Sequence, residues 1–198
     1  FWTTPLLGLT FCKLALPVKA WRRGLSRLGD QIATTWVSVN NLTFKLALPV
    51  KWRVENQPVA SKRESVLVLA NHQSWVDILV LQKILNRRLP MLKFFLKSSL
   101  FWVPVIGQAW WALDFPFMKR YSKKKLAKKP HLKGRDFDIT KRACQKFKDL
   151  PVAIMNFAEG TRFHPAKRAG QGSPYQRLLK PRAGGAAYAL AAMGGQIK

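Results

Sequence analysis

Two short aliphatic runs constrain this chain most, because each is long enough for a buried strand and each ends in a polar cluster. "VLVLA", Val66–Ala70, leads into "NHQSWVD", and "PVAIMNF", Pro151–Phe157, leads into "EGTR". An uninterrupted aliphatic run is what a strand covered on both faces of a parallel sheet requires. Around these runs, apolar residues recur at helical spacing. "LSRLGDQIATTWVSVNNLTF" aligns Leu25, Leu28, Ile32, Trp36 and Val39. "SWVDILVLQKILN" aligns Trp75, Ile78, Leu79, Gln82 and Leu85, and "DITKRACQKFKDL" aligns Ile139, Ala143, Phe147 and Leu150. "PVKWRVEN" alternates like a further strand and precedes a polar connector, Gln57–Glu64. Helices alternating with apolar strands predict an α/β fold with a largely parallel central sheet flanked by helices. The 198 residues amount to one domain.

The first eighteen residues, "FWTTPLLGLTFCKLALPV", carry a single charge, Lys13, and precede the basic "KAWRRGLSR". A spanning helix needs about 20 apolar residues. The stretch therefore reads as the tail of a transmembrane segment, as an interfacial anchor, or as an amphipathic core helix. The expected organisation is a hydrophobic, helical membrane-anchoring segment over 1–44 and an α/β domain over 45–198. The basic flank places the domain on the cytoplasmic side. A signal peptide is not expected, for want of a basic leader and a small-residue cleavage site. The start at Phe1 and the stop after "MGGQIK" read as those of a fragment. "KLALPVK" occurs twice, at Lys13–Lys19 and Lys45–Lys51, with no physical account from sequence.

Thirty-five Lys and Arg against nine Asp and Glu give a net charge of +26, which points to anionic partners: nucleic acid, an anionic membrane surface or phosphorylated substrates. The densest stretch, Lys119–Arg135, holds nine basic residues and no acid. A solvated basic face accounts for it equally well. Tyr121 is its one aromatic residue, so it lacks the stacking platforms of single-strand binders. It matches no recognition module either, and nucleic acid is not the expected partner. Cys12 and Cys144 belong to no cluster, which leaves neither a disulfide framework nor a zinc site indicated.

In open parallel sheets, sites form where the loops converge at the carboxyl ends of strands. Both polar clusters lie at such ends. His72 can take a proton from a hydroxyl if a carboxylate holds its ring in the right tautomer, and Asp77 is within reach. The pattern Ser74-x-x-Asp77 is equally a helix-capping pattern, and spacing alone leaves the two readings level. A metal is not expected, because His131 and His164 stand in no ligand-like spacing to His72. No G-x-S-x-G elbow is present for a serine hydrolase. Glu159, Gly160, Thr161 and Arg162 could form an anion-binding turn, with Gly160 letting the backbone approach and Arg162 supplying a bidentate fork. Taken alone, a plain surface turn is the commoner explanation.

The ordered set "NHQSWVD" and "FAEGTR" resembles the glycerolipid acyltransferase family, the 1-acylglycerol-3-phosphate and lysophospholipid acyltransferases. That family carries NH-x4-D and F-P-E-G-T-R motifs at about this separation. Between them, "FLKSSLFWVPVIG" is similar to the family's lysine-containing block, and "WALDFPFMKR" to its second motif. "ALDFPFMKRYS" and "LLKPRAGGAAYAL" are closest to the branch with lysocardiolipin-type enzymes and bacterial inner-membrane homologues. The resemblance covers residues 13–198.

It implies transfer of a fatty acyl group from acyl-CoA or acyl carrier protein to a lysophospholipid hydroxyl, with 1-acylglycerol-3-phosphate the leading acceptor and phosphatidic acid the product. By the same resemblance His72 is the general base and Asp77 its orienting partner. Lys97, Arg120 and Arg162 hold the acceptor's phosphate, and Glu159, Gly160 and Thr161 shape that pocket. No bound cofactor, metal or covalent intermediate is implied. The expected place of action is an anionic membrane surface on the cytoplasmic face, that of a bacterial inner membrane. Ala158 stands where the family has proline, and the family's fourth motif is expected beyond Lys198. The rival is a non-enzymatic basic protein that binds RNA or membranes on the same scaffold.

Overall fold

The computed structural model describes residues 3–15, 18–56, 60–118 and 150–197, and in the interval between the last two only 127, 128, 130, 138, 141, 142, 144 and 147. In chain order the elements are α1 (Thr3–Ala15), α2 (Lys19–Ala47), β1 (Val66–Ala70), α3 (Val76–Leu85), β2 (Leu92–Phe94) and β3 (Leu96–Lys97). A 3-10 turn (Ser98–Trp102), α4 (Ile106–Ala112), β4 (Phe117–Met118), β5 (Ala153–Phe157), α5 (Pro165–Gln171), α6 (Gly184–Met193) and a second 3-10 turn (Gly194–Gln196) follow.

The two aliphatic runs pair with each other. β1 and β5 are parallel, from Val66 opposite Ala153 to Ala70 opposite Phe157, and β2 pairs parallel along the other side of β5. The order β1-β5-β2 puts β5 in the centre, and Ala153, Ile154, Met155 and Asn156 are all buried. β1 lies at an edge, where Leu69 is half exposed, so this run is not covered on both faces as expected. β3 and β4 form a second parallel pair. One core layer gathers Val66, Leu92, Phe94, Ala153 and Met155 with residues of α1 to α4. The other gathers Ile154 and Val152 with Cys144, Phe147 and the α6 residues Ala189, Ala192 and Met193. The α/β fold with a small parallel sheet is as the alternation of elements predicts.

Several predicted details differ. The described residues 48–56 form no strand, although "PVKWRVEN" alternates. On α2 the buried stripe is Gly29, Ala33 and Val37, while Leu28 and Val39 are exposed. Small residues let a neighbouring helix approach closely, and Leu6 of α1 and Leu113 lie just beyond Gly29. On α3 the packed residues are Ile78, Leu81, Ile84 and Leu85, whereas Trp75 and Leu79 face outward. The helix read over Asp138–Leu150 falls largely outside the described residues; Cys144 and Phe147 within it are buried.

The N-terminal anchor takes a different form from the one expected. No described helix is long and apolar enough to cross a membrane. α1 has 13 residues and packs on α2 and α4, burying Leu6, Thr10 and Lys13. Its one charge therefore faces inward. Lys13 Nζ donates to Ala112 O at 3.2 Å and pairs with Asp114 Oδ2 at 2.9 Å, which also accepts from Ser26 Oγ at 3.1 Å. A second buried cation, Lys93, donates to Leu113 O at 2.8 Å and lies 3.1 Å from Asp30 Oδ1. The "KLALPVK" copies acquire a local meaning, since α1 stops at Ala15 and α2 at Ala47, the same position in each copy. The leucine before a proline is disfavoured from helical geometry, and the extended Leu48 before Pro49 ends α2.

Candidate active site

β1 ends at Ala70, and two residues further on His72 stands at the carboxyl edge of the sheet. The next turn folds the ring back on α3. His72 Nδ1 lies 2.8 Å from Asp77 Oδ2, and the same oxygen accepts the backbone N–H groups of Gln73 at 2.6 Å and Ser74 at 2.9 Å. Ser74 Oγ accepts from Val76 N at 3.1 Å. The bond from Ser74 N to Asp77 is the carboxylate half of a capping box, so the start of the helix and the orientation of the histidine share one carboxylate.

Burial works against the charge of Asp77. The hydrogen bonds from His72, Ser74 and Gln73 outweigh that penalty and hold the carboxyl below the usual carboxylate range. An ionised carboxylate only accepts, so Nδ1 carries the proton and, in the neutral ring, Nε2 carries the lone pair. Among the described residues Nε2 has no hydrogen-bond partner. The ring itself is stacked on Phe157, centroids 3.9 Å apart and planes inclined by 14°. Ring position is thus set from below by β5 and from the side by α3. An imidazole held this way can accept a proton from a hydroxyl brought to Nε2.

The second polar cluster reaches the first through its backbone. Glu159 is buried, and its Oε1 accepts the N–H of His72 at 3.1 Å while Oε2 accepts that of Leu179 at 2.9 Å. Both carboxylate oxygens are therefore engaged by the protein. Further bonds run from Phe163 N to His72 O at 2.7 Å, Ala158 N to Ala70 O at 3.0 Å and Arg182 N to Ala158 O at 2.7 Å. Gly160 closes the turn in the left-handed region, at φ 68°, with its N–H on Phe157 O at 2.9 Å. Ala158, in the position of the resembling motif's proline, donates a backbone bond that a proline could not.

The remaining predicted residues are only partly gathered. Arg162 is exposed, and its guanidinium lies 4.7 Å from the centroid of the Trp75 ring, directly beside the histidine loop. Thr161 Oγ1 accepts from Lys167 Nζ at 2.8 Å, which adds a cation to this turn. Lys97, on β3, is exposed. Arg120 lies outside the described residues. His164 caps α5, with Nδ1 accepting from Ala166 N at 3.3 Å. Sequence reasoning missed the stacking of Phe157, the clamp made by Glu159 and the approach of 179–182 to the turn. The apolar residue two places before Glu159 was visible, but its partner across the sheet was not.

Among protein families, one described as Acyltransferase matches residues 51–197. An uncharacterised acyltransferase of Schizosaccharomyces pombe is 28% identical over 120 residues, which cover 61% of this chain and 38% of that protein. The chain thus spans well under two thirds of that relative's length. No solved structure matches it.

Proposed function

The chain belongs to the acyltransferase family, and we propose that it moves a fatty acyl group from acyl-CoA or acyl carrier protein to the free hydroxyl of a lysophospholipid, 1-acylglycerol-3-phosphate foremost. One observation carries the reading: His72 Nδ1 is held at 2.8 Å on Asp77, and Nε2 is left without a partner among the described residues. In the proposed step Nε2 takes the hydroxyl proton as that oxygen attacks the thioester carbonyl. The C–S bond then breaks, and the departing thiolate takes the proton from His72. A thioester is already activated, so a positioned base and proximity are the main requirements. Arg162 and Lys97, with Arg120, would hold the acceptor's phosphate, and Gly160 and Thr161 would line it. Glu159 acts here by positioning, since both its oxygens are on backbone N–H groups.

The same reading places the protein on an anionic membrane surface. Phe11 and Leu14 on α1 are 75% and 62% exposed, and Trp102 and Val105 beside α4 are 78% and 62% exposed. α1 packs against α4, so these exposed apolar side chains are carried by neighbouring elements. Exposed apolar side chains on a chain of charge +26 suit an interface of lipid tails and anionic headgroups. The test is transfer of labelled acyl chains to lysophospholipid in vesicles by the wild type and by His72→Ala. Loss of about a hundredfold or more is expected for the variant, and equal rates would refute the base. Tight RNA binding by a wild type that acylates no lysophospholipid would favour the non-enzymatic alternative.

A further inference from the structure

The ring stacked on His72 belongs to a row of aromatic rings that leads into the core. Phe157 closes β5 and lies 3.9 Å from the imidazole, centroid to centroid, with the planes inclined by 14°. It also stacks with Phe94, the last residue of β2, at 6.2 Å and 25°, and Phe94 stacks with Phe115 at 6.4 Å and 15°. Phe94 and Phe115 are buried in the core layer against which Phe157 packs. β2 and β5 are paired, Phe94 opposite Met155, so neighbouring strand ends carry the first two phenyl rings. Phe157 is thereby held in place beneath the imidazole.

So close and nearly parallel a contact sets the imidazole over the face of the phenyl ring rather than its edge. That face carries negative charge density, which attracts a cation placed over it. In the proposed step Nε2 takes the hydroxyl proton while Nδ1 keeps its own on Asp77, so the ring becomes an imidazolium. The hydroxyl oxygen keeps the electron pair and forms the bond to the thioester carbonyl. The new positive charge then meets the Asp77 carboxylate, 2.8 Å from Nδ1, and the face of Phe157. Both partners are in place before the charge appears, so no reorganisation is needed. Attraction to the face is stronger for the charged ring than for the neutral one, and such a contact lowers the barrier without tightening substrate binding. An aliphatic side chain would fill the same place in the core and supply none of this.

We infer that Phe157 is a positioning residue that acts through His72: its ring holds the imidazole and stabilises the imidazolium formed as the acceptor's hydroxyl proton is taken. This role rests on the proposed acyl transfer, whereas the stack does not.

Two measurements on the full chain test the inference. Proton NMR in detergent reads the stack without activity, with the His72 ring signals identified by their loss in His72→Ala. They should lie upfield of those of a histidine free in solution, because the phenyl face shields what lies over it, and should return towards that position in Phe157→Leu. Ordinary positions in the wild type overturn the stack. Kinetics read the role. Fluorine drains charge from a phenyl face with little change of shape, so replacing Phe157 by mono-, di- and trifluorinated phenylalanine separates charge from packing. The kcat for acyl transfer to lysophosphatidic acid in vesicles should fall stepwise along that series, and by roughly three- to thirtyfold in Phe157→Leu, with KM unchanged. A flat kcat across the series, or a rise in KM at constant kcat, overturns the role of Phe157 and leaves the proposed function standing. A wild type that transfers no acyl group overturns the proposed function and the role with it, while the NMR signals still decide the stack.

Discussion

Glu159 holds His72 by the backbone: its Oε1 accepts the histidine's N–H at 3.1 Å, while its other oxygen takes Leu179 N at 2.9 Å. One buried carboxylate thus ties the loop after β1 to the loop after β5 and to the segment leading into α6. Glu159→Ala leaves both donors unanswered and is expected to cost roughly 2–5 kcal/mol of stability. Glu159→Gln, which keeps one acceptor oxygen, should lie between that variant and the wild type. Denaturant midpoints measure both, and an unchanged midpoint for Glu159→Ala would refute the clamp.

Asp77 is the hydrogen-bonding centre of the histidine loop. Asp77→Asn should lower kcat by about a hundredfold or more, because an amide no longer fixes the protonated Nδ1 tautomer. The same substitution has a pH signature. The folded carboxyl titrates below its ordinary value, so the unfolded chain binds the proton more readily. The stability this group contributes is present above the ordinary carboxylate range, near pH 4, and is lost as pH falls through the folded value. The stability gap between wild type and Asp77→Asn should therefore narrow on acidification. A constant gap from pH 7 to pH 3 would contradict it.

Lys93 and Asp30 form the deeper ion pair, between β2 and α2. Burial pushes the Asp30 carboxyl up, against the attraction of Lys93. A raised folded value means that this group's contribution declines as pH rises from the ordinary carboxylate range to the folded one. Lys93→Ala strands the Asp30 charge and should cost about 3–5 kcal/mol. The double variant Lys93→Met, Asp30→Leu should recover most of that loss, which a double-mutant cycle in denaturant would read. Additive losses would show that the two groups are not coupled.

Two helical glycines give opposite expectations for one change. A Cβ on Gly24, in α2, meets nothing within 4 Å, so Gly24→Ala should stabilise by about 0.5–1 kcal/mol. At Gly185 the added Cβ collides with Asn156, and Gly185→Ala should destabilise by roughly 1–3 kcal/mol despite the better helix propensity. Melting temperatures of the two variants should move in opposite directions.

Local chemistry made much of this protein readable in advance. The aliphatic runs announced β1 and β5, the Ser74-x-x-Asp77 pattern announced the start of α3, and the motif spacing put Asp77 within reach of His72. These features depend on neighbours in sequence, and so does the stop that Leu48-Pro49 imposes on α2. Which face of a helix is buried depends on what lies across from it. The large apolar residues of α2 mark one stripe, yet Gly29, Ala33 and Val37 are the buried ones, because close approach of α1 and its neighbours favours small side chains. Lys13 looked like the flaw in an apolar anchor, but an acceptor a hundred residues away turns it inward and leaves Phe11 and Leu14 outside. Glu159 looked like part of a substrate pocket, and the folding of three distant segments showed that its oxygens are already engaged. Neighbouring residues thus specify the elements and the side chains that carry the chemistry. Long-range packing settles which polar atoms are satisfied within the protein and which, such as His72 Nε2 and Asn156 Nδ2, have no partner among the described residues. Satisfaction of a buried polar atom is a matter of geometry between distant segments, and no local pattern encodes it.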